Sequence, residues 1–396
     1  MKILIASDLH WPAINGVATF SRNLAKQMAS RGHEVVVIAP SQTGKPYKEV
    51  DGNHIIYRTR SVPFILYQNF RISPTPQMEV KKILKDFDPD IIHIQMCMWI
   101  GQATMRYGNK MGIPIVSTVH AIPENLMDNI KMLAPLARPI NYMLRGYGST
   151  FYAKSDYLTI PTQAAIHMLK ANDRVDNIPV EPVSNGIDLS SYKPGKPSRE
   201  LYKKFDIPTG VPIVTYLGRI DAEKHINVLL KAFVQVLKKH KKAHLLVVGF
   251  GTEETNLKEL AYALGIMDHC TFTGKVSEED KIALHHIGDV YSMTSPAELQ
   301  CISMMEAMAS GKPVVAVDAG ALKELCQNNR NGFLCEKDND KEIADSINRL
   351  LSDKKLRDKM GKESLAITST HAIEYTMDRY EKIYEDLIKC RTKSAT

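Results

Sequence analysis

The sequence predicts an α/β protein with two doubly wound domains, each a mostly parallel sheet covered by helices on both faces. Short, continuously apolar runs alternate with amphipathic stretches along the chain, as buried parallel strands and their crossover helices do. The alternation is interrupted by a stretch rich in Pro, Gly and charge at 193–212 and then resumes. At 396 residues, the chain is long enough for two cores of ordinary size.

The first domain is predicted over residues 1–192. It opens with a strand at 2–7, a glycine-containing loop from Pro12 to Gly16, and a helix over Thr19–Arg31 that ends at Gly32. Further strands are expected at His33–Ala39, Ile91–Gln95, Ile115–Val119 and Tyr157–Ile160.

The second domain is predicted over residues 193–374. Its strands are expected at Ile213–Gly218, His244–Gly249, Cys270–Thr273, Val290–Met293 and Pro313–Val317, with helices between them that include Asn227–His240 and Glu254–Leu264. The carboxyl ends of the strands of both domains are expected to face a common cleft, because open α/β sheets bind their ligands at that edge.

Composition limits the classes of function. Apolar residues make up 44% of the chain and charged residues 24%, as in ordinary globular proteins. The net charge of +7 is too small and dispersed for nucleic acid, but it suits an anionic ligand or lipid surface. The six cysteines have no metal-ligand spacing, so we expect reduced thiols in a cytoplasmic protein. No apolar run is long enough to span a membrane, and the first residues read as a strand rather than a signal peptide.

Two glutamates mark the most informative stretch, 295–315. Glu298 and Glu306 lie on either side of an expected helix start near Gln300 or Ile302. The amides of that start would face an anionic group, and the two carboxylates could accept hydrogen bonds from two polyols of one ligand, such as a sugar and a ribose. On spacing alone, Glu298 as a helix cap and Glu306 as a solvated surface residue are equally good interpretations.

Cationic and small residues follow other strands. Arg219 and Lys224 come directly after a predicted strand, where a guanidinium and an ammonium would hold a diphosphate and neutralise its charge as it leaves. Gly16 follows the first strand and permits close approach of the backbone to a ligand. His120 ends the run IVSTVH, at the carboxyl end of a strand. Taken singly, each of these signals is weak.

The ordered set resembles the retaining glycosyltransferases of family four, which have the GT-B architecture of two Rossmann-like domains. The residues that carry the resemblance, over nearly the whole chain, are Asn15-Gly16-Val17, Arg31 to Val35, His120, Asn185-Gly186-Ile187-Asp188, Gly218-Arg219, Lys224, Glu298, Glu306 to Ala309, and Gly311 to Val315.

The resemblance implies a role for each site residue. Gly16 would lie beneath the donor diphosphate, Arg219 and Lys224 would bind that diphosphate, and Cys301 and Ile302 would bring backbone amides to it. His120 and Glu298 would contact the donor sugar, Glu306 the ribose, and Val276 would lie near the base. A helix at about 375–390 would pack back onto the first domain.

Two positions depart from the family pattern. Cys301 and His225 stand where the family usually has glycine. Cys301 is small enough for the backbone to reach a phosphate, but it would strain the loop if a positive φ were required there.

Metal-independent chemistry is expected, because the sequence offers no convincing Asp-x-Asp site at the donor. Cationic side chains and a helix start would stabilise the leaving diphosphate instead, and no cofactor is implied. No carboxylate is obviously placed as a nucleophile, so we expect front-face transfer with retention of configuration.

The acceptor is predicted to be a lipid. Two stretches that lack acidic residues, 52–78 and 129–155, mix apolar residues with cations, as segments at anionic bilayers do. The cations singled out are Arg71, Lys131, Arg138 and Arg145. The segment 62–76, together with the loop after His120, most resembles enzymes that glycosylate diacylglycerol or a glycolipid, and it is somewhat similar to phosphatidylinositol mannosyltransferases. We therefore expect UDP-glucose as the donor and a location at the inner face of the plasma membrane. In the alternative interpretation, the two stretches form a wall of an acceptor cleft for soluble or polysaccharide substrates.

Other classes of protein fit less well. A dinucleotide oxidoreductase would use Gly249 and Gly251, but Glu254 replaces the third glycine of its fingerprint. A P-loop enzyme would need a glycine upstream of Gly44-Lys45. A non-catalytic sugar-nucleotide-binding protein remains open, since a degenerate site could still bind.

Overall fold

The computed structural model describes residues 1–13, 15–64, 70–120, 137–170 and 175–394. The chain divides into two compact units. One contains the described residues up to Ser184 and those from Glu374 onward, and the other runs from Asn185 to Ile373. The sequence placed this division after residue 192. The structure puts it earlier because Ile187 donates a backbone hydrogen bond to His371 at 2.8 Å and Tyr192 is buried in the apolar core of the second unit.

The first unit is built around a sheet with strands β1 (Lys2–Ala6), β2 (Glu34–Pro40), β3 (Tyr47–Asp51), β4 (His54–Thr59), β7 (Ile91–Ile94), β8 (Ile115–Thr118), β9 (Tyr157–Ile160) and β10 (Val180–Pro182). The order of these described strands is β10-β9-β8-β7-β1-β2-β4-β3. All neighbours are parallel except β3 and β4. A separate antiparallel pair contains β5 (Val62–Pro63) and β6 (Arg71–Ile72).

The described helices that accompany this sheet up to residue 170 are α1 (Gly16–Ser30), α2 (Gln77–Phe87), α3 (Trp99–Met111), α4 (Ala137–Tyr152) and α5 (Gln163–Lys170). Strand β1 pairs with β2 on one side and with β7 on the other. The order of the strands therefore reverses between β1 and β7. Loops that leave neighbouring strands at such a switch point diverge and open a crevice for a ligand.

The second unit contains a fully parallel sheet with strands β11 (Ile213–Leu217), β12 (His244–Val248), β13 (Cys270–Phe272), β14 (Val290–Met293), β15 (Val314–Val317) and β16 (Gly332–Cys335). Its helices are α6 (Arg199–Lys204), α7 (Ile226–Lys239), α8 (Glu254–Ala263), α9 (Glu278–His285), α10 (Ile302–Ala309), α11 (Leu322–Leu325), α12 (Asp340–Ser352) and α13 (Lys354–Ser369). The strand order β13-β12-β11-β14-β15-β16 puts the switch point between β11 and β14.

The last helix, α14 (Ile373–Ser394), packs on the first unit from Glu374 onward. Glu381 accepts hydrogen bonds from Arg31 at 2.5 Å and from His33 at 2.6 Å. Tyr384 is fully buried and hydrogen-bonds to His93 on β7 at 2.6 Å. Among the described residues, no helix has both the length and the apolar character needed to cross a membrane.

Some elements differ from the sequence prediction. Helix α1 begins at Gly16 rather than Thr19, because the side chain of Asn15 caps it by accepting a hydrogen bond from the amide of Ala18 at 2.9 Å. The hairpin of β3 and β4 was missed, as were the short strands β10 and β16. Strand β3 alternates partly buried and exposed positions at the edge of its sheet, so its sequence lacks the apolar run that identified the other strands.

Candidate functional site

The switch point of the second unit brings together five predicted site residues. Arg219 and Lys224 lie in the loop after β11, Glu298 and Cys301 lie between β14 and α10, and Ile302 is the first residue of α10. Because β11 and β14 are adjacent and parallel, both loops leave the sheet at the same edge. The strand ends therefore place cations, a carboxylate and a helix start next to one another.

Lys224 and Glu298 form a mostly buried ion pair. The ammonium of Lys224 lies 2.6 Å from Glu298 Oε1 and 3.5 Å from Glu223 Oε1. Burial opposes both charges, but mutual attraction prevails, so the pKa of Lys224 lies above its ordinary value and the pKa of Glu298 lies below it. Both groups are therefore charged at neutral pH.

Arg219 is held by two carboxylates of its own loop. Its guanidinium donates to Asp221 and Glu223, both of which are buried. Asp221 also accepts hydrogen bonds from the amide and hydroxyl of Thr252 at 3.0 and 2.9 Å, which ties this loop to the one after β12. Sequence reasoning missed Asp221 and Glu223, although their spacing from Arg219 in the segment RIDAEK was a usable signal.

Gly249 and Gly251 have a structural explanation in this loop pair. A Cβ at Gly249 would lie 1.9 Å from the carbonyl oxygen of Gly218, and one at Gly251 would lie 2.1 Å from that of Ile220. Only glycine permits this approach of two backbones. The glycines that favoured a dinucleotide enzyme therefore serve the packing of the Arg219 loop.

The start of helix α10 matches the prediction, with Ile302 as its first residue. Cys301 is the N-cap residue, with φ −83° and ψ 95°, and it makes no side-chain capping bond. This extended conformation suits any L-residue, so the strain that a positive φ would have caused at Cys301 does not arise. Glu298 lies upstream of the cap, and the interpretation of Glu298 as the helix cap is wrong.

His225, the second position that departs from the family pattern, differs from Cys301 in its backbone conformation. His225 has φ 49° and ψ 35°, in the left-handed region that favours glycine. Its Nδ1 atom lies 2.8 Å from Asp338 Oδ1. His225 therefore keeps the backbone conformation of a glycine and adds a polar contact.

Glu306 is buried inside the unit, so its interpretation as a solvated surface residue is wrong. Oε1 lies 2.7 Å from the ammonium of Lys281, and Oε2 lies 3.3 Å from Nε2 of His285. Although burial opposes ionisation, these partners lower the pKa of Glu306 to about 2. Sequence reasoning missed Lys281 and His285, whose four-residue separation places them on one face of α9. Val276 lies partly buried in the loop before that helix.

Gly16 and His120 lie in the first unit. Gly16 is the first residue of α1, so the loop after β1 ends in helix amides, which favour an anion. This loop is held by Arg58, which donates to the carbonyl oxygen of Trp11 at 2.5 Å and to Glu49 Oε1 at 2.8 Å. Arg58 is buried, and sequence reasoning missed it.

His120 follows β8, at the carboxyl edge of the sheet, as predicted. Its Nε2 atom lies 2.8 Å from Oε1 of Gln95, and its ring lies 5.0 Å from that of Phe20. Burial lowers the pKa of His120 to about 3, so the ring is neutral.

The four cations proposed for the acceptor side are not equivalent. Arg71 donates to the carbonyl oxygen of Ser41 at 2.9 Å, and to the hydroxyl and carbonyl oxygens of Ser61 at 2.9 and 3.1 Å, so its guanidinium braces the backbone. Arg145 is exposed on α4. Lys131 and the side chain of Arg138 lie outside the described residues.

Two doubly wound units, each with polar or charged side chains at its switch point, define the class of two-domain α/β proteins whose ligand sites lie at the carboxyl ends of the strands. Residues 14–191 match the family model described as Glycosyltransferase Family 4, and residues 197–365 match the one described as Glycosyl transferases group 1. These two matches span most of the chain, which therefore belongs to the family-four glycosyltransferases and has their GT-B fold.

Two relatives agree with this membership, and a solved structure shares the fold. Alpha-monoglucosyldiacylglycerol synthase of Streptococcus pneumoniae is 29% identical over 342 residues, which cover 84% of this chain and 75% of that protein. A GDP-mannose-dependent alpha-mannosyltransferase of Mycolicibacterium smegmatis is 26% identical, with 85% of each chain covered. The structure of sucrose-phosphate synthase from Thermosynechococcus elongatus has the same fold, with a TM-score of 0.83, 18% identity, and coverage of 98% of this chain and 100% of that one.

Proposed function

We propose that this glycosyltransferase transfers glucose from UDP-glucose, with retention of configuration, to a lipid such as diacylglycerol or a glycolipid. The observation that carries the proposal is the buried Lys224–Glu298 pair at the switch point beside the start of α10. An ammonium and a helix start suit a diphosphate, and a neighbouring carboxylate suits sugar hydroxyls.

In this proposal, Arg219, Lys224 and the amides at Cys301 and Ile302 hold the diphosphate. Their positive charge takes the role that a divalent metal plays elsewhere. The bond from the anomeric carbon to the phosphate oxygen breaks, and a bond to the acceptor oxygen forms on the same face. The departing phosphate takes the acceptor proton, so no side chain serves as a nucleophile.

The remaining contacts orient the donor. Glu298 accepts hydrogen bonds from the sugar, and Glu306 is assigned the ribose. Because both oxygens of Glu306 are paired with Lys281 and His285, a ribose hydroxyl would have to share or replace one of those contacts. Gly16 is assigned to the donor diphosphate, His120 to the donor sugar and Val276 to the base.

The lipid acceptor is supported by the surface of α4 and by a relative. Tyr142, Met143 and Tyr147 have relative exposures of 84, 63 and 48%, and Arg145 is exposed between them. Helix α4 contains no acidic residue, and exposed aromatic, apolar and cationic side chains suit the interface of an anionic bilayer. The relative from Streptococcus pneumoniae is named for a glucosylated diacylglycerol. We propose in addition that the protein is peripheral, at the inner face of the plasma membrane.

Transfer from GDP-mannose, as in a phosphatidylinositol mannosyltransferase, is the second candidate, because the relative from Mycolicibacterium smegmatis is named for that donor. A soluble or polysaccharide acceptor would make the cations of α4 part of a cleft wall. A non-catalytic binding protein would bind the donor but never consume it.

Purified protein incubated with each labelled donor separates these candidates. We expect an α-linked glucolipid from UDP-glucose with diacylglycerol vesicles, unchanged by a chelator, and none from Lys224→Ala or Glu298→Ala. A β-linked product would refute retention, and a chelator-sensitive rate restored by magnesium would refute metal independence. Consumption of GDP-mannose alone would favour the second candidate.

Membrane attachment has a separate test. Flotation with vesicles that contain anionic lipid should recover the protein at low salt, and Tyr142→Ser with Arg145→Ser should reduce recovery. Met78→Ser is a matched control, since Met78 is 85% exposed on α2 and lies outside α4. Equal recovery with neutral and anionic vesicles would remove the electrostatic part of the proposal.

A further inference from the structure

Gln95 is the residue that follows β7, beside the switch point of the first unit. The backbone N–H of Gln95 donates to the carbonyl oxygen of Ala6 on β1 at 2.9 Å. Its side chain is fully buried. Its position is thus set by two neighbouring strands of the sheet, which makes it a rigid support for a neighbouring group.

The side chain of Gln95 contacts the ring of His120, and this contact bears on which ring nitrogen carries the proton. A side-chain carbonyl oxygen only accepts hydrogen bonds. An amide turned to face the ring with its NH2 group would instead pair with a ring protonated at Nδ1. With Oε1 facing the ring at 2.8 Å, as in this structure, the contact pairs with a protonated Nε2. In the neutral ring the other nitrogen, Nδ1, is then an acceptor. No described residue hydrogen-bonds to Nδ1 of His120.

The nitrogen of the Gln95 side-chain amide makes no hydrogen bond to the described residues. That nitrogen, Nε2, is buried. A buried donor without a partner is destabilising, so a glutamine here is a poorer choice for stability than an apolar side chain of similar size. The amide oxygen, which does have a partner, gives glutamine a reason to stand at this position.

We propose that Gln95 is a positioning residue for sugar transfer: its amide oxygen keeps His120 in the neutral, Nε2-protonated form, so that Nδ1 accepts a hydrogen bond from a donor-sugar hydroxyl. This inference rests on the proposed function of His120 as a donor-sugar contact. Gln95 acts through His120 and does not itself touch the substrate. A wrong tautomer at a comparable histidine removes an interaction that orients the reacting groups.

The groups packed around His120 do not compete for this role. Phe20, from α1, carries no charge. His93, on β7, is the nearby titratable group, and burial holds its pKa well below the ordinary value. Both nitrogens of His93 already have partners, Thr118 Oγ1 at 2.6 Å and the hydroxyl of Tyr384 at 2.6 Å. Among these described neighbours, Gln95 alone hydrogen-bonds to the ring of His120.

Two substitutions at Gln95 separate positioning from packing. Gln95→Leu removes the acceptor, and we expect kcat to fall by roughly 10- to 100-fold, with a smaller change in KM for the donor. Gln95→Glu keeps an acceptor at the same place but adds a negative charge, which raises the pKa of His120. Its activity should approach the wild-type value at high pH and fall on acidification as His120 becomes charged, whereas the wild-type rate should not show this fall.

The matched controls are Gln77→Leu and Gln77→Glu, at an exposed glutamine that begins α2. Neither should change kcat or the pH profile. The proposal would be overturned if the activity of Gln95→Glu did not fall at low pH and Gln95→Leu kept the wild-type kcat.

The tautomer of His120 can be measured without any substrate. Two-bond proton–nitrogen correlation spectra of wild-type protein labelled at histidine should show the Nε2–H form at His120, assigned by its loss in His120→Asn. Gln95→Leu should speed exchange of that ring proton with water. An Nδ1–H ring in the wild type would overturn the proposal even if transfer proceeds as proposed. Conversely, failure of all donors in the transfer assay would refute the function and leave this spectrum as an independent test.

Discussion

Replacing Lys224 by methionine tests the central ion pair of the donor site. Methionine keeps much of the length of the side chain and removes its charge. The carboxylate of Glu298 would then stay buried without the ammonium that lies 2.6 Å away in the wild type. The structure therefore predicts a loss of stability as well as a loss of transfer.

The size of this effect follows from burial and distance. The two side chains are only 14 and 12% exposed. At 2.6 Å, two unit charges attract by roughly 6 kcal/mol at an effective dielectric constant of about 20. Desolvation offsets part of that attraction, and removing one partner of a buried pair costs about 3–5 kcal/mol. We expect Lys224→Met to lower the free energy of unfolding by about 3 kcal/mol.

Urea unfolding at neutral pH is the assay, with Lys258→Met as the control. Lys258 lies 2.7 Å from Glu254, but those side chains are 43 and 25% exposed, so the control should lose less than about 0.5 kcal/mol. Adding Glu298→Gln to Lys224→Met should restore part of the stability, because no charge is then left unpaired. If Lys224→Met is no less stable than Lys258→Met, the reasoning about the buried pair is refuted.

Three further predictions concern other parts of the second unit. Glu306→Gln should lower the free energy of unfolding by roughly 3 kcal/mol near neutral pH, because the pKa of Glu306 falls from 4.5 to about 2 on folding. In urea titrations, that difference from wild type should shrink as pH falls through this interval, while Glu259→Gln, at an exposed site, should show none. Cys301→Gly should lower the free energy of unfolding by about 1 kcal/mol, because φ is −83° at that position. His225→Gly, at φ 49°, should gain about 1 kcal/mol from the backbone, which offsets the contact that it loses. If Cys301→Gly melted at a higher temperature than His225→Gly, this reasoning would be contradicted. Gly249→Ala should prevent folding of the unit, because the new Cβ would lie 1.9 Å from a backbone carbonyl oxygen, and an unchanged thermal melt would refute that explanation.

Sequence-based prediction of the strands was most accurate at positions where an apolar run ends and a candidate site residue follows. The run before Arg219 became β11, the run ending at Met293 became β14 without any change of bounds, and Ile302 begins α10 as expected. These predictions succeeded because strand runs are local signals, and the carboxyl end of a parallel strand is the edge where ligands bind. The adjacency of β11 and β14 depends on the order of strands in the sheet, which no local pattern encodes.

Partners that come from a different element were not predictable. The sequence predicted that Glu306 lies on a helix. Its partners Lys281 and His285 come from another helix, α9, so the sequence could not predict that Glu306 is buried. Arg71 was interpreted as a surface cation because its neighbours are apolar and cationic. Its guanidinium instead binds Ser41 and Ser61, and that contact depends on how distant segments meet.

The charges at the donor site imply that donor binding exchanges partners. Arg219 and Lys224 are paired with the carboxylates of Asp221, Glu223 and Glu298, so the described cluster has one negative charge more than it has positive charges. A diphosphate would meet repulsion there unless a carboxylate turned to other partners. Glu298 can do so if sugar hydroxyls replace the ammonium of Lys224, which then turns to the phosphate. Lys224→Met therefore removes a phosphate ligand and leaves the carboxylate of Glu298 unpaired at once, and Glu298→Gln removes a sugar contact and leaves the ammonium of Lys224 with Glu223 as its carboxylate partner.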